Sequence, residues 1–522
     1  MDEKEICREI ISLFLSRTDR DIDRARIDIC KKYSLRTVPK NSLILASAPP
    51  WEREYLRTIL QVKPTRTLSG VAPVAVMTSP SACPHGKCLP CPGGPDHAFR
   101  SPQSYTGEEP AALRAREHNY DPYSQVSARL GQFEALGHHV DKAELIVMGG
   151  TITARPYEYQ EWFVTECIRA MNEYGVPRES RQQGRDGIFS ENESARVRCV
   201  AITFETRPDW CRHDHIVTML DLGVTKVELG VQHIDDRILS FNRRGCTVND
   251  TKEANRLLRD AGMKVGFHIM PNLPGSSIRE DREMFNTLFE NPDLRPDFLK
   301  IYPTLVTPGS EIEALWNSGD YAPYDEEDLI DLIAYGKSLL PGYVRLQRIQ
   351  RDIPAKLIVA GSKHSNFRQL AADRLVAQGG RCRCIRCREI GRHPSDSEPE
   401  LKDLVYDSAG GTEHFISLEA GDSLIGFARL RYPGNCFRDE LAGSALLREL
   451  HVYGSVVPIG KEAMGGQHQH KNQGNLLLEQ AEEKARDGGF DFVSVMSGIG
   501  VRPYYRKFGY HLNGPYMQKR LS

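Results

Sequence analysis

Between about residues 70 and 360, short apolar runs alternate with longer amphipathic segments, and this alternation limits the fold more than any other feature of the chain. Strands are predicted at 71–77, 144–148, 200–204, 226–231, 264–270 and 298–302, with helical patterns such as 159–172 and 251–261 between them. Strands that alternate with helices pair in parallel, because each helix carries the chain back over the sheet to start the next strand. Six such units predict an α/β architecture, a partial TIM-type (β/α)6 barrel. Polar residues gather where the predicted strands end, at Gly149-Gly150-Thr151, Glu205-Thr206-Arg207-Pro208, Gln232-His233, Pro271-Asn272 and Pro303-Thr304. In parallel barrels the chemistry sits on that carboxyl-terminal rim. The stretch 178–196, rich in Arg, Gln, Glu, Ser and Gly, reads as a polar loop.

Directly after the first predicted strand comes Cys83-Pro-His-Gly-Lys-Cys88-Leu-Pro-Cys91. A cubane iron–sulfur cluster is normally held by four cysteines. Three leave one iron open to a substrate or cofactor, the arrangement radical S-adenosylmethionine (SAM) enzymes use. A zinc knuckle and three core cysteines are the alternatives. Placement on the barrel rim favours the 4Fe–4S reading, and puts Gly149 and Gly150 where their backbone would meet SAM.

A second triplet, Cys382-Arg-Cys384-Ile-Arg-Cys387, lies among cations, which ease thiol deprotonation and suit a zinc site. His393 is the nearest fourth ligand in sequence, with Cys436 or a barrel cysteine as alternatives. From about 401 the pattern turns β-rich, at 414–419, 424–431 and 446–453. A polar loop, Gln467 to Gly474, then opens the amphipathic segment 476–486. A strand, a loop containing glycine and a helix can cradle a pyrophosphate on backbone N–H groups.

With 522 residues, two or three domains are expected. A net charge of -2 excludes nucleic-acid binding through global charge, so a polyanion must meet a local basic face. Residues 1–70 are predicted mainly helical, with Arg24, Arg26, Lys31, Lys32, Arg36, Lys40, Lys63 and Arg66 offering such a face. Thirteen cysteines, an odd number with several in two clusters, suit a reducing cytoplasm. No apolar run is long enough to span a membrane.

In this order the pieces resemble the catalytic subunit of the Elongator complex, in its stand-alone archaeal or bacterial form. The resemblance rests on Cys91-Pro-Gly-Gly-Pro, Gln103-Ser-Tyr-Thr-Gly107, Asp141-Lys142 before Met148-Gly-Gly-Thr151, and Glu205-Thr-Arg-Pro208. It extends through Lys300-Ile-Tyr-Pro-Thr-Leu, Glu449-Leu-His-Val-Tyr-Gly-Ser-Val-Val-Pro458 and Gly514-Pro-Tyr-Met517. It implies a basic tRNA-binding region (1–70), a radical SAM domain (71–375), a zinc-binding linker (376–400) and a GNAT-type acetyltransferase domain of α+β class (401–522).

The implied reaction carboxymethylates carbon 5 of the wobble uridine in tRNA, with acetyl-CoA as co-substrate. By the same resemblance Cys83, Cys88 and Cys91 hold the cluster, and Glu205 joins Gly149 and Gly150 at SAM. Lys142, Glu449, Leu450, His451, Val452, Gln473, Gly474, Asn475 and Tyr505 bind acetyl-CoA, and Lys142, Tyr504 and Tyr505 are the implied catalytic residues, with Tyr505 near the thioester. The implied partner is a tRNA anticodon stem-loop, met by a monomer or homodimer without accessory Elongator subunits. The acetyl-CoA loop departs from the family pattern, carrying Asn472 where a first glycine is usual; Asn tolerates a positive φ, so the loop can still form. The rival readings are a protein lysine acetyltransferase with a structural cluster, and a non-catalytic RNA-binding scaffold.

Overall fold

The computed structural model describes residues 2–35, 37–62, 67, 70–96, 100–176, 183–453 and 472–521. Lys63, Arg66, Arg36 and most of the polar loop before Gly474 lie outside them.

Seven strands form the first sheet: β1 (Ala72–Met77), β2 (Lys142–Met148), β3 (Arg198–Thr206), β4 (Lys226–Gln232), β5 (Lys264–Ile269), β6 (Phe298–Ile301) and β7 (Arg345–Ile349). All pair in parallel in chain order, so β1 and β7 are its two edges. The predicted parallel α/β architecture is present as a curled half-barrel, one strand larger than expected. The unexpected strand, Arg-Leu-Gln-Arg-Ile, has three polar residues in five and lacks an apolar run because it is an edge. On the central strands one face is apolar and packs under the covering helices, while Glu144, Lys226, Glu228 and Lys300 meet one another on the inner face.

The predicted helices are found as Tyr157–Asn172 and Val248–Asp260. The stretch read as a polar loop instead contains the helix Arg185–Asn192. Ile188 and Phe189 bury its inner face, while Asn192 reaches back to Val197 O at 3.1 Å and accepts from Cys199 N at 2.7 Å. Two apolar residues in a polar background are too few to show helical periodicity.

Residues before β1 fold as four helices, Glu3–Ser16, Ile22–Lys32, Asn41–Ser47 and Pro50–Leu60, as expected. Ile6, Ile10 and Phe14, each four residues apart, bury one face against Ile29, Ile44 and Leu56. Several predicted basic residues are already paired: Arg24 with Asp19, Arg26 with Asp23, and Lys32 with Glu9.

A second, mixed sheet follows: β8 (Pro399–Ser408), β9 (Gly411–Ala420), β10 (Ser423–Tyr432), β11 (Ser444–Val452), β12 (Phe492–Val495), β13 (His511–Asn513) and β14 (Tyr516–Arg520). Its order is β13-β14-β12-β11-β10-β9-β8, antiparallel except where β11 meets β12. That parallel pairing covers only Ser444–Leu447; β11 then runs on to Val452 beside β10. The helix Gln473–Asp487 packs across β10 and β11.

The sheets meet at the amino-terminal end of the half-barrel. Gly498 and Gly500 lie so close to β3 that a Cβ would fall 2.0 Å from Val200 O and 2.6 Å from Arg198 Cβ. Beside this contact lies a buried ionic joint. Arg448 holds Asp297 through both Nη atoms at 2.8 Å and also binds Glu413 at 2.8 Å. Arg259 joins Glu413 at 2.9 Å, Arg431 joins Asp260 at 2.7 Å, and Arg429 joins Glu449 at 2.8 Å. Four guanidinium groups thus meet four carboxylates. Burial alone would raise the Asp297 carboxyl, but Arg259, Arg448 and Arg429 hold it well below the carboxylate range. Breaking one such buried pair costs about 3–5 kcal/mol, because the partner charge is left uncompensated.

Candidate active site

The loop leaving β1 carries the first cysteine triplet over the rim. Cys83 and Cys88 each open a tight turn, closed by Gly86 N to Cys83 O at 3.0 Å and Cys91 N to Cys88 O at 3.1 Å. Leu89 pins the loop, donating to Asn242 O at 3.3 Å and accepting from Ile312 N at 3.2 Å. Gly93 is required: a Cβ there would lie 1.8 Å from Tyr105 O.

Each sulfur meets a different polar group. Cys91 Sγ accepts from Gln103 Nε2 at 2.8 Å, and Cys88 Sγ lies 3.0 Å from His85 Nε2 and 3.4 Å from Arg244 Nη1. Cys83 Sγ lies 3.6 Å from Thr151 Oγ1. Burial, aided by Arg207 and Arg244, holds His85 down to about 3, so its ring is neutral.

The triplet forms one wall of a cavity of 720 Å³ on the carboxyl-terminal side of the half-barrel. Small-molecule sites occupy about 300–1,000 Å³. His85 Nδ1, Arg207 Nη1, Arg244 Nε and Gln232 Oε1 are buried on this lining without a hydrogen-bond partner among the described residues. Such orphaned polar atoms fit a site built for a polar ligand. Three thiolates, two guanidinium groups beside them and a roomy polar cavity fit a 4Fe–4S cluster with SAM.

Glu205 accepts from Tyr105 Oη at 2.7 Å and from Lys300 Nζ at 3.2 Å. Lys300 also binds Glu228, which accepts from His268 Nε2 at 3.0 Å and faces Lys226 at 3.3 Å. Burial would raise Glu228, yet Lys300 and Lys226 hold it well below the carboxylate range. Tyr105 is driven well up by burial and by Glu205, and stays a phenol. Gly150 lines the cavity beside Gln103, whereas Gly149 serves the approach of β1 to β2: its Cβ would lie 2.3 Å from Thr78 Oγ1.

The second triplet is tighter. The sulfurs of Cys382, Cys384 and Cys387 all lie within 4.8 Å of one another; those of Cys83, Cys88 and Cys91 do not. Tetrahedral zinc, with Zn–S near 2.3 Å, sets its sulfurs about 3.8 Å apart. S–H donation from Cys382 and Cys387 holds the Cys384 thiol far below its usual range. No fourth ligand joins them among the described residues: His393 is not gathered with them, and Cys436 donates instead to Asp260 O at the ionic joint.

The residues expected at acetyl-CoA lie on the second sheet and at the opposite end of the half-barrel. Asn472 adopts φ +57 immediately before the helix Gln473–Asp487, the left-handed conformation expected of it. Gly474 faces Tyr504: a Cβ would lie 3.0 Å from Tyr504 Oη and 3.9 Å from Val452 Cγ2. Tyr504 Oη donates to Asn475 Oδ1 at 3.2 Å. Gln473 Oε1 is buried without a partner among the described residues. Val452, Gln473, Gly474, Asn475 and Tyr504 are thus gathered together. Tyr505 turns inward, its ring 5.7 Å from Tyr510. Glu449 is held by Arg429, Leu450 pairs with Ala428, and His451 packs 4.4 Å from Tyr453.

Lys142 opens β2, about 20 Å along the strand from the rim. It is in register with Arg198, whose Cβ lies against Gly500 in the turn that follows β12. Burial lowers its ammonium from the ordinary lysine value, against the pull of Asp141.

Gln103, Tyr105, Arg207, Arg244, Lys300 and His85 were not picked as site residues from the sequence. Gln103, Tyr105, Arg207 and Lys300 fall in the family motifs and His85 inside the Cys83–Cys91 motif, which is the available signal; Arg244 has none.

Family models match three consecutive parts: the ELP3 N-terminal domain over 3–68, the Radical SAM superfamily over 78–288 and the Radical SAM C-terminal domain over 296–377. The chain is 47% identical to the tRNA uridine(34) acetyltransferase of Methanocaldococcus jannaschii, over 100% of this chain and 99% of that one. It is 41% identical to the Elongator complex protein 3 of Homo sapiens, over 99% and 96% respectively. The structure of the archaeal Methanocaldococcus infernus Elp3 with an N-terminal deletion is similar at TM-score 0.75 and 43% identity, covering 87% of this chain and 100% of that one. With matches running end to end, the chain belongs to the Elongator complex protein 3 family of radical SAM enzymes.

Proposed function

We propose that this protein is a tRNA carboxymethyluridine synthase, which builds a carboxymethyl group on carbon 5 of the wobble uridine from acetyl-CoA. The observation that carries the reading is the rim cavity, where three cysteines and orphaned polar atoms face one space. The relatives named for uridine(34) and for Elongator supply the substrate.

Cys83, Cys88 and Cys91 would hold the 4Fe–4S cluster. When bound, it supplies the electron that cleaves SAM and so starts radical chemistry. Gln103 and Arg244 donate to the sulfurs of Cys91 and Cys88, which spreads their charge and fixes their orientation. Arg244 offsets the Cys88 thiolate, while Arg207, near Cys83, is itself held by Asp209 at 2.8 Å. Lys300, bridging Glu205 and Glu228, holds both carboxylates in place on the cavity lining, and together with Lys226 it keeps Glu228 ionised. Tyr105, held by Glu205, presents a phenol that does not ionise near neutral pH.

Acetyl-CoA would meet the second sheet where β11 outruns β12. Gln473 and Gly474 offer backbone N–H groups at the start of a long helix, a favourable place for a pyrophosphate, while Asn475 N donates to Asn472 O at 3.0 Å. Tyr504 stands over that helix start. Lys142, with Glu449–Val452, would bind the acyl-CoA at the domain joint. Zinc would sit in the second triplet as a structural ion. The uridine must be unstacked to be reached, as single-stranded RNA is read.

The test is anaerobic reconstitution with iron, sulfide, a reductant, SAM, acetyl-CoA and tRNA, followed by nucleoside mass spectrometry. Carboxymethyluridine that depends on both SAM and acetyl-CoA is expected. Product formed equally without SAM would overturn the reading, and acetylation of a protein lysine instead would favour the rival acetyltransferase.

A further inference from the structure

A half-barrel leaves two sheet edges open, and here guanidinium groups cap both. On β1, Arg114 Nη2 donates to Ala75 O at 2.8 Å. On β7, Arg368 Nη2 donates to Leu346 O at 3.1 Å and Arg386 Nη1 to Gln347 O at 3.4 Å. The rim cavity reaches this seam: Pro73 and Ala75 line it from one edge, and Arg348 and Arg386 from the other.

The charge balance of the lining is uneven. Eight arginine and lysine side chains face four carboxylates, Glu109, Glu205, Glu228 and Asp352. Each carboxylate is already engaged. Glu109 accepts from Thr106 N at 2.9 Å and Gly107 N at 3.0 Å, and Asp352 accepts from Arg348 at 2.8 Å. Glu205 and Glu228 hold Lys300. Arg207 and Arg244 stand beside the thiolates. On the seam side, Arg114, Arg351 and Arg386 have no carboxylate within ion-pair distance among the described residues. Arg114 is only 8% exposed, and its Nε is buried without a partner. A guanidinium group as buried as that of Arg114, with no ion-pair partner, is costly unless an anion arrives. Arginine forks match phosphate oxygens in pairs. The guanidinium carbon of Arg351 lies 5.7 Å from the Tyr105 ring centre and 5.9 Å from that of Tyr302, so aromatic faces adjoin the cations. Single-stranded RNA is held by that combination of cations and stacking faces.

We propose that the seam between β1 and β7 is the port by which a single-stranded RNA segment enters the cavity, with Arg114, Arg351 and Arg386 holding the phosphodiesters on either side of the inserted nucleotide. The inference rests on the tRNA reading above. The phosphates of acetyl-CoA share the same chemistry. The RNA source is favoured because the helix start at Gln473, at the far end of the half-barrel, already offers the coenzyme a phosphate site.

The test measures binding of a fluorescent anticodon stem-loop RNA to the iron-reconstituted, full-length protein by anisotropy across a salt series, and acetyl-CoA binding in parallel. Arg351→Gln and Arg386→Gln are expected to weaken RNA binding roughly tenfold each at about 50 mM salt. Each should also flatten the slope of log K against log salt by about 0.7. SAM and acetyl-CoA binding should stay at parent values. Arg114→Gln should add to the loss; because it caps β1, its melting curve is taken first, and the other two variants decide the matter if it fails to fold. Parent-like RNA affinity and slope in both decisive variants would overturn the port. So would a loss confined to acetyl-CoA, which would assign the seam to the coenzyme. If the parent itself binds no stem-loop, the tRNA reading fails, and the port falls with it.

Discussion

The two cysteine triplets use the same ligand type in the same number, yet the structure gives them opposite surroundings. Cys83, Cys88 and Cys91 are spread along the wall of a large polar cavity, each sulfur beside a different partner. Cys382, Cys384 and Cys387 converge within 4.8 Å, beneath a lysine, Lys337, that is 1% exposed. Spread sulfurs beside open space suit a multi-atom cluster that meets a substrate. Convergent sulfurs suit a single ion that holds chain segments together. Thiol count and spacing along the chain do not separate these uses; sulfur separation and adjoining volume do.

Variants can break this contrast. The largest effect is expected for Cys88→Ala, which should lower carboxymethyluridine formation by at least about a thousandfold, since the radical route contributes most of the rate enhancement. Iron should be lost and zinc kept, with the melting temperature close to the parent value. Metal analysis of the purified variant checks both halves. If iron stays and zinc leaves, the two roles are reversed.

Next in size is Cys384→Ala. Zinc should drop below stoichiometric while reconstituted iron remains, and the melting temperature should fall by about 5 °C or more, as for loss of a structural metal. A parent-like melt with zinc absent would mean the second triplet is no staple.

Lys337→Met probes the surroundings rather than the ligands. Burial lowers the Lys337 ammonium, against the pull of Cys382, Cys387 and Cys384. Removing a group that supports metal ligands typically costs about 10–100-fold in affinity. Zinc loss to a chelator, followed with a chromogenic indicator, should therefore be faster by about tenfold or more.

The smallest effect is expected from Arg244→Gln, which removes a cation from Cys88 but leaves every iron ligand in place. An electron added beside a cation is favoured, so the cluster midpoint should fall. A decrease of about 60 mV corresponds to a tenfold shift in a one-electron equilibrium. Redox titration followed by electron paramagnetic resonance reads it. An unchanged midpoint would detach Arg244 from the cluster.

Much of the half-barrel was legible because short apolar runs between helices mark buried parallel strands, and six of the seven carry such a run even though Glu144, Lys226, Glu228 and Lys300 face inward. β7 did not, since Arg345 reaches Glu389 and the Tyr453 hydroxyl and Arg348 lines the cavity, so neither serves a core. The helix Arg185–Asn192 was hidden because Ile188 and Phe189 alone supply its apolar face. Within the site, the cysteines stood out by spacing and Asn472 by its tolerance of positive φ. Arg244 could not stand out, because its value comes from folding back over Cys88, 156 positions away. The ionic joint was equally hidden. Arg429, Arg431 and Arg448 sit in strands whose apolar neighbours were read correctly, and only the meeting of two sheets shows what their charges face.

That joint has a consequence for how the chain can be divided. Cutting between the two sheets would leave Arg429, Arg431 and Arg448 on one fragment with Glu413 and Glu449, and Arg259 on the other with Asp260 and Asp297. The first fragment would carry one surplus positive charge on its joint face and the second one surplus negative charge. Neither face is built to meet water, and neither can neutralise itself. The two halves therefore depend on each other as subunits of an obligate heterodimer do, and the peptide linking them supplies their one-to-one stoichiometry.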